Sequence, residues 1–225
     1  MSWRLRGSAD GTMETCFVPL LKTPLPDLTG RVFDPETEPF CLAHASNAIA
    51  HYPWKDSDCH PEARAYLAGS REGIHVLLCA LEPEAYAETR VFGGPVYRDS
   101  CLEFFLQPDT DDPRYVNLEC NVLGAMQIGC GPDRARRILL ERQPPELRLS
   151  VSRHEGRWWA VSYTVSFQFL RGVLGRDTVV RREMRGNFYK CAETVRPHFG
   201  CWSPVAAPQP DFHRPECFGR ILLPV

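Results

Sequence analysis

Apolar and polar positions along the 225-residue chain alternate in short runs with a period of two. "SCLEFFLQP" (100–108) sets Leu102, Phe104 and Leu106 against Cys101, Glu103 and Phe105. "YVNLECNVLG" (115–124) sets Val116, Leu118, Cys120 and Val122 against Asn117, Glu119 and Asn121. "AMQIGCG" (125–131) follows Gly124 as its hairpin partner, and "EARAYLAG" (62–69) turns through "SREG" into the nearly all-apolar run "GIHVLLCAL" (73–81). "ELRLSVSRHEGRWWAVSYTVSF" (146–167) alternates, turns at "HEG" and alternates back. "MRGNFYKCAE" (184–193) and "FGRILLPV" (218–225) complete the strands. Helical spacing is confined to one short turn, "SFQFLRGVLG" (166–175), ended by Gly175.

This pattern predicts an all-β protein, an antiparallel β-sandwich of jelly-roll or immunoglobulin-like type with short helical turns. Twenty prolines and sixteen glycines spread over the whole length agree with many short strands. The expected organisation is a flexible tail over residues 1–15 and a single domain over 16–225. One segment resists the pattern. "RPHFGCWSPV" (196–205) carries His198, Phe199 and Trp202 between prolines. It reads as a rim loop, with Trp202 either plugging the core or, the reading favoured here, presenting its ring to a ligand.

Composition narrows the function. Hydrophobic residues at 44% and charged residues at 24% are ordinary for a globular domain. A net charge of -2 gives no basic footprint, so nucleic acid is not an expected partner, and the arginine groups 134–137 and 181–185 read as solvated faces. No apolar run reaches the roughly 18 residues that span a bilayer, and the first residues lack the apolar stretch of a signal peptide. No membrane partner and a cytoplasmic location are the expectations. The ten cysteines include no C-x-x-C, and several lie inside apolar runs, so free buried thiols are expected. Cys59 and His60 are adjacent and point apart on an extended chain, so no metal site is read there.

Four segments, "YRDSCLEFFLQPD" (97–109), "YVNLECNVLGAMQIGCGPDR" (115–134), "RGNFYKCAE" (185–193) and "PHFGCWSPVAAPQPDFHRPECFGRILL" (197–223), together with "HYPW" (51–54), carry a resemblance. In order and spacing they are similar to the family-nine carbohydrate-binding modules and their stand-alone bacterial relatives, within the DOMON-like sandwiches. The resemblance implies non-catalytic binding of a saccharide, such as a glycan end, in a slot between two aromatic rings, in the service of carbohydrate catabolism. It places the binding glutamate on Glu103, further slot residues near Glu119 and Asn121, and the later amide on Asn187, with Tyr189 on the same face. The first ring falls near Tyr97 and the second at Phe212 or His213, where the family carries tryptophan. Glu119 stands where the family has a slot arginine, with Arg98 a candidate to supply that charge. Trp202, with His198 beside it, is a candidate for the missing wall. No cofactor is expected; structural calcium is carried by some relatives, without a mappable site here, and the oligomeric state is open.

The residues also carry plainer readings. Glu103 could be an exposed strand carboxylate or a partner of Arg98, Glu119 and Asn121 a solvent face, Asn187 a bulge residue, and His213 a clasp for the last strand. Trp54 reads as a core cap, and Trp158 and Trp159 as one core and one surface ring. Two further functions stand as alternatives: a small glycoside hydrolase using Glu103 and Glu119, since paired carboxyls do that chemistry, and a haem- or redox-binding domain using Met126 or Met184 with His198.

Overall fold

A computed structural model of the chain describes residues 13–54, 58–153, 157–175 and 177–224. The "HEG" turn and most of the expected tail lie outside the described residues. Among the described residues thirteen strands form two sheets. They are β1 (Thr15–Phe17), β2 (Ser46–Ala48), β3 (Glu62–Gly69), β4 (Gly73–Leu81), β5 (Cys101–Gln107), β6 (Tyr115–Asn121) and β7 (Met126–Gly131). Then come β8 (Ile138–Leu139), β9 (Ser150–Ser152), β10 (Trp158–Ser166), β11 (Glu183–Ala192), β12 (His198–Cys201) and β13 (Gly219–Leu222). The larger sheet runs β1-β13-β11-β5-β6-β7-β8, with β12 also on β11, and the smaller runs β2-β3-β4-β10-β9. All named pairs are antiparallel except β1 with β13. The expected sandwich is therefore present. Its helices are α1 (Pro39–Ala43) and α2 (Phe167–Leu174). α2 starts where the Ser166 hydroxyl accepts from Phe169 N and stops at Gly175, whose φ of 118° suits a residue without a side chain.

The period-two alternation decides the layers. Leu102, Phe104 and Leu106 of β5, Leu118 of β6 and Phe188 of β11 pack against Val76 and Leu78 of β4 and Val161 and Tyr163 of β10. Trp159 belongs to this inter-sheet core, and Trp158 lies half-buried beneath Arg64, so the two tryptophans divide as expected. Each sheet is also covered on its far side. Leu28, Phe33 and Phe40 cover the small sheet at Tyr66, Leu77 and Cys79. On the large sheet the outward residues Cys101, Phe105, Tyr115 and Tyr189 pack under Trp54, Val205, Phe212 and Phe218. Outward-facing polar residues there are buried, where an exposed sheet would leave them in water.

"RPHFGCWSPV" departs from expectation. Residues 198–201 form strand β12, paired with β11 in the register His198↔Ala192, Phe199↔Cys191 and Cys201↔Tyr189. Its flanking prolines lie outside the paired residues, where they remove no ladder hydrogen bond. The register splits the aromatic residues between faces. His198 and Trp202 share the inner face with Phe188, while Phe199 turns outward. Trp202 is 5% exposed, 5.3 Å from the Phe188 ring, and sits so close over Gly219 that a Cβ there would come within 2.6 Å of it. It is a core residue, and the expected wall is elsewhere.

Candidate functional site

β5 lies between β6 and β11, so Glu103 faces Glu119 on one side and Tyr189 on the other. Both carboxyls point outward, are 2% exposed, and line one cavity of about 150 Å³. That is room on the scale of one six-membered ring. Burial, together with Cys191 and Glu119 nearby, pushes the Glu103 pKa well above the usual carboxylate range. Cys191 Sγ donates to its Oε1 at 3.1 Å. Burial raises the Glu119 pKa to about 7, with Arg137 and Asn117 pulling the other way. Asn117 Nδ2 donates to Glu119 Oε1 at 2.7 Å and Arg137 to the same oxygen at 3.4 Å. Glu119 Oε2 is buried with no partner.

Arg137 reaches this spot because of two glycines. Gly129 lies opposite Asn117 on β7, and a Cβ there would sit 2.6 Å from Asn117 Oδ1 and 3.3 Å from Arg137 Cδ. A Cβ on Gly131 would lie 2.5 Å from Arg137 Cα. The bare outer face of β7 thus lets residues 132–137 fold back over the sheet, and the Arg137 guanidinium crosses to Glu119. Arg137 also lies 2.5 Å from His213 Nε2, and Tyr115 Oη 2.7 Å from His213 Nδ1. Nε2 must therefore accept and Nδ1 must carry the proton. Burial and the neighbouring Arg137 depress the His213 pKa to about 2, in keeping with a neutral ring.

Three aromatic side chains wall the cavity: Tyr97 from the 96–98 turn, Phe199 from β12, and Phe212. Phe212 is stacked on Tyr189 at 4.0 Å between ring centres, and the Tyr189 hydroxyl donates to Phe212 O at 3.0 Å. Tyr189 is thus a support for the wall, not the wall itself. Trp54 packs behind Phe199 and Phe212 as the expected cap, its indole N–H donating to Ala207 O.

Of the ten residues singled out in the sequence, Tyr97, Glu103, Glu119 and His213 line the cavity. The other six do not, for identifiable reasons. Arg98 is largely exposed and lies 4.0 Å from Glu193, so Arg137, not Arg98, brings the guanidinium. Asn121 is spent on its own turn, accepting from Leu123 N and Ala125 N and donating to Asp99 and Thr89. Asn187 ties β11 to the next loop, donating to Ser203 O and accepting from Ser203 N. Tyr189 and Trp202 are placed as described above. His198 points inward, where its Nδ1 meets Arg196 O and its Nε2 meets Lys190 Nζ at 2.8 Å. Lys190 is itself fully buried and paired with Glu82 at 3.0 Å, and Glu82 also accepts from Trp159 and Ser100. Both His198 nitrogens are thereby engaged, and Met126 and Met184 are core residues, so the haem ligand set finds no axial pair here. Arg134, Asp211, Cys191, Glu193 and Phe199 line the cavity without having been singled out for it. Arg134 and Asp211 pair across the rim at 3.3 Å.

Calcium seeks six to eight oxygen ligands. Among the described residues the one cluster of at least three His, Cys, Asp or Glu donors is Cys101, Glu103 and Cys191. Two sulfurs and one carboxylate do not fit calcium. No helix among the described residues is long and apolar enough to cross a membrane.

The fold is a β-sandwich with a ring-walled, loop-covered cavity on the outer face of its larger sheet. The family model for carbohydrate-binding family 9 matches residues 41–223, and the chain belongs to that family. Its function is carbohydrate binding. No curated protein matches. Among solved structures, a protein of Bacteroides uniformis provisionally assigned to carbohydrate binding is similar at 25% identity and TM-score 0.77, over 95% of this chain and 100% of that one. A family 9 module of Caldicellulosiruptor kristjanssonii in complex with cellotriose shares the fold at 12% identity and TM-score 0.60, over 93% of each chain. The same organism's module in complex with glucose does so at 12% identity and TM-score 0.61, over 94% of this chain and 96% of that one.

Proposed function

We propose that this protein binds one terminal sugar ring of a saccharide in the cavity between Tyr97, Phe199 and Phe212, over Glu103, Glu119 and Arg137. The observation that carries the reading is the unpartnered Glu119 Oε2, buried at the wall of a ring-sized cavity. Buried acceptors are rarely left unpaired, and a sugar hydroxyl supplies the missing donor. Glu103, whose pKa burial pushes upward, both donates and accepts when protonated, as a hydroxyl rim requires. Aromatic faces suit the apolar C–H face of a sugar. The complexes of the C. kristjanssonii modules with cellotriose and glucose add support at the level of ligand class. A glycan array followed by a crystal structure with the strongest hit tests this: sugar density over Glu119 supports it, and density elsewhere refutes it.

The Glu103–Glu119 pair keeps a second reading alive, because glycoside hydrolysis uses two carboxyls at one site and these two sit opposite each other on adjacent strands and line one cavity. The Cys191 thiol and the Arg137 guanidinium already bonded to these carboxyls favour binding. Release of reducing sugar from the array hit distinguishes the two. We also propose a reducing, cytoplasmic setting, supported by seven cysteines that are buried as unpaired thiols. Thiol titration in denaturant without reductant is expected to count all ten.

A further inference from the structure

At the floor of the cavity the register brings together three groups that the saccharide reading does not need as a set. Cys101 on β5 is directly opposite Cys191 on β11, and Glu103 lies two residues along β5 on the same outward face. The three donor atoms lie within 4.8 Å of one another, and all three residues are buried. Cys191 and Glu103 open on the cavity, while Cys101 lies behind them. A thiol–thiol–carboxyl cluster in so dry a place has two ways to limit buried charge. It holds three protons, or it holds one divalent cation that cancels most of the charge of its deprotonated donors. The nearest guanidinium, Arg137, is already shared between Glu119 and His213.

We propose that Cys101, Glu103 and Cys191 form a site for a thiophilic divalent cation of the zinc type, with its fourth coordination position open to the cavity. Two sulfurs and one carboxylate are a donor set for zinc or cadmium and not for calcium or magnesium. Three protein ligands with one open position are the pattern of sites that also take a water or ligand oxygen. Binding exchanges the Cys101 and Cys191 thiol protons and the Glu103 proton for the metal, and the resulting single negative charge faces Arg137. Because the metal displaces ligand protons, affinity rises with pH.

The inference goes beyond saccharide binding and is tested without sugar, so its failure leaves that reading untouched. Reduced, chelator-treated full-length protein is titrated with cadmium while the ultraviolet thiolate-to-cadmium charge-transfer band is followed. One saturable site per chain with proton release is expected. Cys101→Ser and Cys191→Ser are each expected to weaken the site by at least about tenfold to a hundredfold, while Cys217→Ser leaves it unchanged. If either serine variant does not fold, Glu103→Gln keeps the side-chain volume and is expected to abolish the rise in melting temperature that cadmium gives the parent. No saturable band, or a band indifferent to all three ligand changes, overturns the proposal.

Discussion

Replacing Glu119 by glutamine is expected to change how stability depends on pH more than it changes the fold. The amide oxygen keeps the bonds from Asn117 and Arg137, and the amide nitrogen takes the place of the unpartnered oxygen. In the parent, the Glu119 pKa is raised from 4.5 to about 7. A carboxyl raised on folding contributes stability that is complete below 4.5 and lost as pH climbs through about 7. Ionising it in place costs about 3 kcal/mol. For a domain of this size that corresponds to roughly 6 to 12 °C in melting temperature. Other groups slope the opposite way. Burial and Lys190 depress His198 to about 4, and burial and Arg137 depress His213 to about 2, so each gives stability present above the ordinary histidine value and lost as pH falls. Those slopes are common to both proteins, so the readout is the difference between parent and Glu119→Gln melting curves between about pH 5 and about pH 8.5. The two should nearly coincide at the acid end and separate towards the alkaline end, with the variant melting higher. Parallel curves would show that Glu119 titrates as an ordinary exposed carboxylate, and the buried electrostatics described here would be wrong.

Two further substitutions probe the division between core and site. Trp202→Ala is expected to cost about 3 to 5 kcal/mol of stability in denaturant unfolding, with saccharide affinity per folded molecule unchanged; weakened binding with normal stability would return the ring to the cavity. Gly129→Val puts a side chain where Asn117 and Arg137 pass, and is expected to lift Arg137 off Glu119 and raise the Glu119 pKa further, seen by carbon-13 carboxyl titration; an unmoved titration would show that the guanidinium does not depend on the bare strand.

The parts legible in the sequence are those that period-two alternation controls. It assigned Glu103 and Glu119 to one face and Phe104 and Leu118 to the other, and the sheets follow it. It could not say whether a polar side chain on the right face looks into a cavity or back at the chain. Asn121 and Asn187 share the outward face yet spend their amides on backbone. Strand β12 was hidden by its flanking prolines. Without its register, His198 and Trp202 could not be sent inward or Phe199 outward. Arg137 was read as solvated because its cluster is charged. The signal that marks it lies upstream, in Gly129 and Gly131, which alternate on the outer face of β7 and leave the sheet open to a returning loop.

The central claim is that a sugar sits in the ring-walled cavity above Glu119. Calorimetry with the strongest array saccharide, comparing the parent with Tyr97→Ala, tests it most directly, because Tyr97 is only partly buried and its loss leaves the fold in place. The account predicts measurable binding by the parent and a loss of about 1 to 2 kcal/mol in the variant, roughly fivefold to thirtyfold in Kd. Equal affinity in both proteins, or no saccharide bound by either, would contradict it.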